Sequence, residues 1–108
     1  MSTSRRVIVR YRTKPEHAEE NQQLVEAVFA ALERSRPEGL NYATFRLDDG
    51  VSFVHIASTN TDDGSNPLDA VEEFGTFARG IAARCDEPPV VQPATLVGSY
   101  RFFTGGDE

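Results

Sequence analysis

Along these 108 residues the hydropathy period switches in a fixed order: strand, helix, strand, strand, helix, strand. Residues 5–12 set Val7, Val9 and Tyr11 against Ile8, Arg10 and Arg12, the two-residue alternation of a strand. Thr13-Lys14-Pro15-Glu16 then fits a capping box, and a helix is predicted over 15–35 with Val25, Val28, Phe29 and Leu32 on one stripe. Pro37-Glu38-Gly39 stops it. Residues 40–47 and 51–59 are predicted as strands joined at Asp48-Asp49-Gly50, with Gly50 at positive φ. The polar run 60–65 is a loop. Asn66-Pro67-Leu68-Asp69 reads as the start of a second helix over 67–85, carrying Val71, Phe74, Ala78, Ile81 and Ala82 on one stripe. Pro88, Pro89 and Pro93 predict an extended connection, and residues 94–103 the last strand, before a frayed Gly105-Gly106-Asp107-Glu108 tail.

That order predicts a single α+β domain over 1–108, with its core in 5–103 and a ferredoxin-like βαββαβ topology. The antiparallel sheet has expected strand order 4-1-3-2, and right-handed crossovers place both helices on one face. Assigning the more apolar parity of each strand to the helices turns Val7, Val9, Tyr11, Ala43, Phe45, Leu47, Val54, Ile56, Leu96, Tyr100 and Phe102 inward. Ile8, Arg10, Leu40, Tyr42, Thr44, Arg46, Val51, Phe53, His55, Val97, Ser99, Arg101 and Phe103 then share the uncovered face. A face so rich in apolar residues calls for a cover, so a homodimer through the sheet is expected.

A net charge of −6 and a pI near 4.9 argue against nucleic acid and against anionic membranes as partners. A lone cysteine, Cys85, excludes an intrachain disulfide. With no apolar run of membrane-spanning length and no signal-peptide pattern, a cytoplasmic location is expected. Cys85, beside Asp86 and Glu87 at a helix end, reads as a buried small hydrophobe, and His17 among Glu16, Glu19 and Glu20 as a solvated residue. Asp62-Asp63-Gly64 lacks the spacing of a calcium loop, and no His or Cys pair has metal-ligand spacing. Nothing here predicts a metal, a nucleotide or a serine nucleophile.

The segments VIVRYRTKPEH before a helix, PEGLNYATFRLDDGVSFVHIAS as a hairpin, and AVEEFGTFARGI in the second helix resemble the dimeric α+β-barrel superfamily. The likeness is greatest to its antibiotic-biosynthesis-monooxygenase-like domains and covers residues 5–103. It implies two sheets packed into a barrel and ligands held beside the sheet. Members include cofactor-free quinone-forming oxygenases, haem-degrading enzymes and isomerases. The chain departs from the family oxygenases in having no Trp, and from the haem degraders in having no His in 67–85, so no catalytic residue is carried over.

The chemistry is therefore read from the residues. On the parity above, Arg10, His55 and Arg101 converge, which suits a phenolate, enolate or carboxylate in an otherwise apolar pocket. Arg10 and Arg101 would bind the anion, and His55, with its pKa lowered by positive neighbours, would abstract a proton. Tyr42, Thr44 and Ser99 would orient a ligand through hydroxyls, and Phe53 and Phe103 would line the pocket, the competing reading for both rings being core packing. The opposing reading makes the arginines interface ion pairs and His55 a satisfied structural residue. The expected function is a cofactor-independent monooxygenase acting on a small aromatic or polyketide-like anion. The alternatives are a non-catalytic ligand-binding or assembly domain of the same fold, and a cofactor-free isomerase.

Overall fold

The computed structural model describes residues 3–102, apart from the side chain of Thr3. Its four strands are β1 (Thr3–Thr13), β2 (Leu40–Arg46), β3 (Ser52–Thr61) and β4 (Cys85–Pro93). They form one antiparallel sheet in the order β2-β3-β1-β4, the expected 4-1-3-2 order. Helix α1 (Ala18–Ser35) follows β1, and α2 (Glu72–Arg79) with the short α3 (Ile81–Arg84) lies between β3 and β4. The apolar stripe of α1 is buried through Ala18, Val25, Val28 and Ala31, with Phe29 and Leu32 packed beside it. Tyr11, Phe53, Leu68 and Phe77 complete the core between helices and sheet.

The hairpin turns where expected. Gly50 has φ +79 and donates its N–H to Leu47 O at 2.9 Å. The Asp49 carboxylate accepts the Val51 and Ser52 N–H groups at 2.9 and 2.8 Å and the Ser52 hydroxyl at 2.5 Å. Those bonds hold its carboxyl below the usual carboxylate range. Gly39 is needed for a second reason: at φ +80 a Cβ there would stand 2.6 Å from the Asn60 carbonyl oxygen.

Four expectations are corrected. No capping box forms: Thr13 is the last residue of β1, and its hydroxyl donates to Val51 O at 3.2 Å instead of capping the Pro15–His17 turn. The second helix is not continuous. Asn66 does accept the Leu68 N–H at 3.0 Å, but it caps only a 3-10 turn, Pro67–Ala70. Val71 is then extended, and Gly80 separates α2 from α3.

The last strand is Cys85–Pro93, not 94–103. Its prolines are tolerated because β4 is an edge strand with a neighbour on one side only. Pro88 and Pro89 fall between the pairs Arg12↔Glu87 and Arg10↔Val90, where two residues of β4 oppose Tyr11 in a bulge. After Ala94 donates to Arg6 O at 2.9 Å, residues 95–102 leave the sheet and lie near Ile8 and Ile56 on its open face. Phe103 and the tail lie outside the described residues.

The fourth correction concerns parity. On β1 the expectation holds, with Tyr11 buried toward the helices and Arg10 exposed on the other side. On β3 the buried set is Phe53, His55, Ala57 and Thr59. Register then places Tyr42 and Thr44 of β2 on that helix-facing side, opposite Ala57 and His55. Ala43, Phe45, Val54 and Ile56 belong to the open face.

Candidate functional site

The corrected parity builds a site where none was expected, between the sheet and the helices. A cavity of about 280 Å³ is lined by Val7, Val9, Ala57, Leu68, Phe74, Phe77 and neighbouring apolar groups. Its polar lining comes from Tyr11, Tyr42, His55 and Asn66. Among the described residues no charged side chain lines it.

His55 is the centre of this group and is only 4 % exposed. Because β1 and β3 pair Val9 with His55 and Tyr11 with Phe53, Tyr11 lies diagonally across from the imidazole on the same face. Its hydroxyl stands 2.7 Å from His55 Nε2. From β2, the Tyr42 hydroxyl stands 2.6 Å from Nδ1, with Thr44 Oγ1 at 3.2 Å. The imidazole is thus held between two phenols, with the Phe77 ring centroid 5.4 Å from its own.

A second row of residues supports the first. Asn21, fully buried on the apolar stripe of α1, donates from Nδ2 to Tyr11 Oη at 2.8 Å. Arg84, in α3, donates from Nε to Asn21 Oδ1 at 3.0 Å and from Nη2 to Phe77 O at 2.9 Å. Its guanidinium lies 5.2 Å from the Phe77 ring centroid.

Burial decides the protonation states. His55 is pushed down from 6.5 to about 4 because the enclosed site disfavours imidazolium. The Tyr42 phenol is pushed up to about 12 by the same loss of solvent, offset in part by a hydrogen bond from Thr44. Tyr11 is raised further, again by burial first, against the opposing pull of its bond with Asn21. At neutral pH the cluster is therefore a neutral base flanked by two neutral acids, a set that can accept a proton and hold an oxyanion.

Of the residues anticipated, His55 and Tyr42 come together, with Thr44 beside them. Phe53 lies under Tyr11, its ring stacked at 5.5 Å and 11°, and does not line the His55 cavity. Arg10 does not join them: it lies on the opposite face, where it lines a separate pocket of about 240 Å³ with Arg12, Leu47, Phe53 and Val90. Ser99 and Arg101 are exposed in the segment after β4, with Arg101 at φ +50 and its guanidinium 5.2 Å from the Tyr100 ring. The depressed His55 pKa comes from burial, not from cationic neighbours. Asn21 and Arg84 were not anticipated; their signal is a polar residue interrupting a helical apolar stripe. Cys85 is buried, and burial raises its thiol pKa. Among the described residues no three His, Cys, Asp or Glu side chains gather to hold a metal, and no helix is long and apolar enough to cross a membrane.

No protein-family model and no curated protein matches this sequence. Solved structures do match its backbone. Rv0793 from Mycobacterium tuberculosis aligns over 90% of this chain and 98% of its own, at a TM-score of 0.71 and 13% identity. An antibiotic biosynthesis monooxygenase aligns over 91% of this chain and 100% of its own, at 0.66 and 23% identity. A variant of SnoaB, a cofactor-independent oxygenase from Streptomyces nogalater, aligns over 89% and 95%, at 0.65 and 17% identity. At these identities the likeness is one of fold: the chain carries the ferredoxin-like α+β fold of the antibiotic-biosynthesis-monooxygenase-like proteins.

Proposed function

We propose that the protein is a cofactor-independent monooxygenase-like enzyme acting on a small aromatic or polyketide-like molecule in the helix–sheet cavity. The observation that carries this reading is the neutral His55 imidazole, held between the Tyr11 and Tyr42 hydroxyls at the wall of an apolar pocket. His55 is the base and the phenols hold the developing oxyanion. Because no cation among the described residues lines the cavity, the substrate enters neutral and ionises inside it, in place of the preformed anion expected from Arg10 and Arg101. An activated CH₂ would lose a proton to His55, and the carbanion would pass its electrons to O₂. A carbonyl and one water are the products, so dioxygen is both oxidant and oxygen source. The fold shared with a cofactor-independent oxygenase supports the same reading.

The test is oxygen uptake with polycyclic phenols bearing an activated CH₂, in wild type and in His55→Gln and Tyr42→Phe. Uptake that falls in both variants, while ligand binding persists, supports the reading. Wild-type protein that binds such phenols and consumes no oxygen sinks it. That outcome would favour the second reading, a ligand-binding domain, which the paired state of both imidazole nitrogens also suits.

We also infer that two copies associate through the open sheet face. Leu47, Val90, Leu96 and Phe102 are all more than two-fifths exposed there or in the adjoining segment.

A further inference from the structure

We propose that Arg84 and Asn21 are positioning residues for His55: a donor-only guanidinium sets the direction of each hydrogen bond up to the imidazole and holds it as the Nδ1–H tautomer, with Nε2 as the acceptor.

The direction can be followed bond by bond. A guanidinium has N–H donors and no acceptor. Asn21 must therefore turn its carbonyl oxygen to Arg84 Nε, 3.0 Å away, which leaves its NH₂ facing Tyr11 at 2.8 Å. That amide nitrogen can only donate, so the Tyr11 oxygen accepts. The single hydroxyl proton of Tyr11 then goes to its other neighbour, His55 Nε2, at 2.7 Å. A neutral imidazole carries one proton, which falls to Nδ1, and Tyr42 Oη lies 2.6 Å from that atom.

Two further observations fit a chain built for this purpose. Arg84 is 5 % exposed, yet among the described residues it enters no ion pair. A buried guanidinium without a carboxylate is costly, and its donor geometry is what distinguishes it from an apolar residue of the same size. Space is also kept for it: a Cβ on Gly80 would stand 2.7 Å from Arg84 Nη1.

The consequence rests on the proposed role of His55 as the base. A ligand proton arriving at the Tyr11 oxygen forms a new O–H bond there, while the original Tyr11 proton moves to Nε2 and forms an N–H bond. The ligand keeps the electron pair of its broken bond. Imidazolium and ligand anion thus appear together, and this step uses no oxidant.

The experiment reads the tautomer directly in ligand-free protein, through long-range proton–nitrogen correlations of ¹⁵N-histidine at neutral pH. His17 is the only other histidine, so loss of one signal set in His55→Gln assigns the spectrum. Wild type should show a protonated Nδ1 and a bare Nε2. Asn21→Asp keeps the shape but presents only acceptors, so the Tyr11 proton turns toward the carboxylate and the imidazole should invert to Nε2–H. Should that variant fail to fold, Arg84→Gln removes the donor-only constraint and should leave both tautomers populated. A wild-type Nε2–H ring, or an Nδ1–H ring unchanged in whichever folded variant is measured, overturns the proposal. Failure of oxygen uptake would bear on the proposed function alone, because the tautomer is read without a ligand.

Discussion

Acidification should destabilise this protein well before its ordinary carboxylates titrate, and His55 is the reason. In the unfolded chain its imidazole takes a proton near 6.5, whereas in the folded protein burial delays protonation to about 4. A depressed pKa in the folded state gives stability that is fully present above about pH 6.5 and is lost as pH falls toward about 4. Integrating between about pH 7.5 and about pH 5 gives a loss of about 2 kcal/mol, and the full loss below pH 4 approaches about 3 kcal/mol. With a urea m-value of about 1–3 kcal/mol/M, the first interval alone moves the midpoint by roughly 1 M. The assay is urea unfolding at fixed protein concentration across that range, for wild type and for His55→Gln. The variant starts less stable, since the glutamine cannot serve both phenols equally well, but its stability should be nearly flat over the same interval. Equal pH slopes in the two proteins would refute the buried, neutral imidazole.

Three further outcomes are expected. Light scattering at micromolar concentration should give twice the 11.9 kDa chain mass, through an interface burying more than about 2,000 Å² in total; the mass of one chain would contradict a sheet-to-sheet dimer. Gly39→Ala should cost clearly more stability than Gly50→Ala although both sites have nearly the same positive φ, because only Gly39 faces a carbonyl oxygen at 2.6 Å; the Gly50 change should cost about 1 kcal/mol by denaturant unfolding, and equal losses would dismiss the contact. Asn66→Ala should cost about 1 kcal/mol through the lost cap on Leu68 N–H, and an unchanged midpoint would show that the cap contributes nothing.

The sequence pattern is legible where an element sets a polar face against an apolar one. Helix α1 sets a Glu- and Gln-rich face against Val25 and Val28, so its stripe was plain. Strand order followed from element order and the handedness of crossovers. Parity on β2 and β3 was not legible, for a physical reason. The open face carries Val54, Ile56 and Phe45, while the helix face carries His55, Thr59 and Tyr42, so hydropathy alternation pointed the wrong way. Buried polar residues escape that count once hydrogen bonds satisfy them, and among the described residues no buried side-chain nitrogen or oxygen lacks a partner. His55 and Tyr42 stood out as residue types, but their meeting with Tyr11 depends on register. Asn21 and Arg84, 63 positions apart, are joined only by tertiary packing.

The prolines of β4 also bear on how copies of this chain can associate. Three of its nine residues lack an N–H, and two of them sit in a bulge that bends the edge. An incoming strand would find gaps in the row of donors it must match, so sheet growth on that side is discouraged. Face-to-face stacking needs no such row: it is self-complementary and closes after two copies. The same irregularity that disguises the last strand in the sequence thus biases its apolar surface toward a finite pair and away from an open-ended fibre.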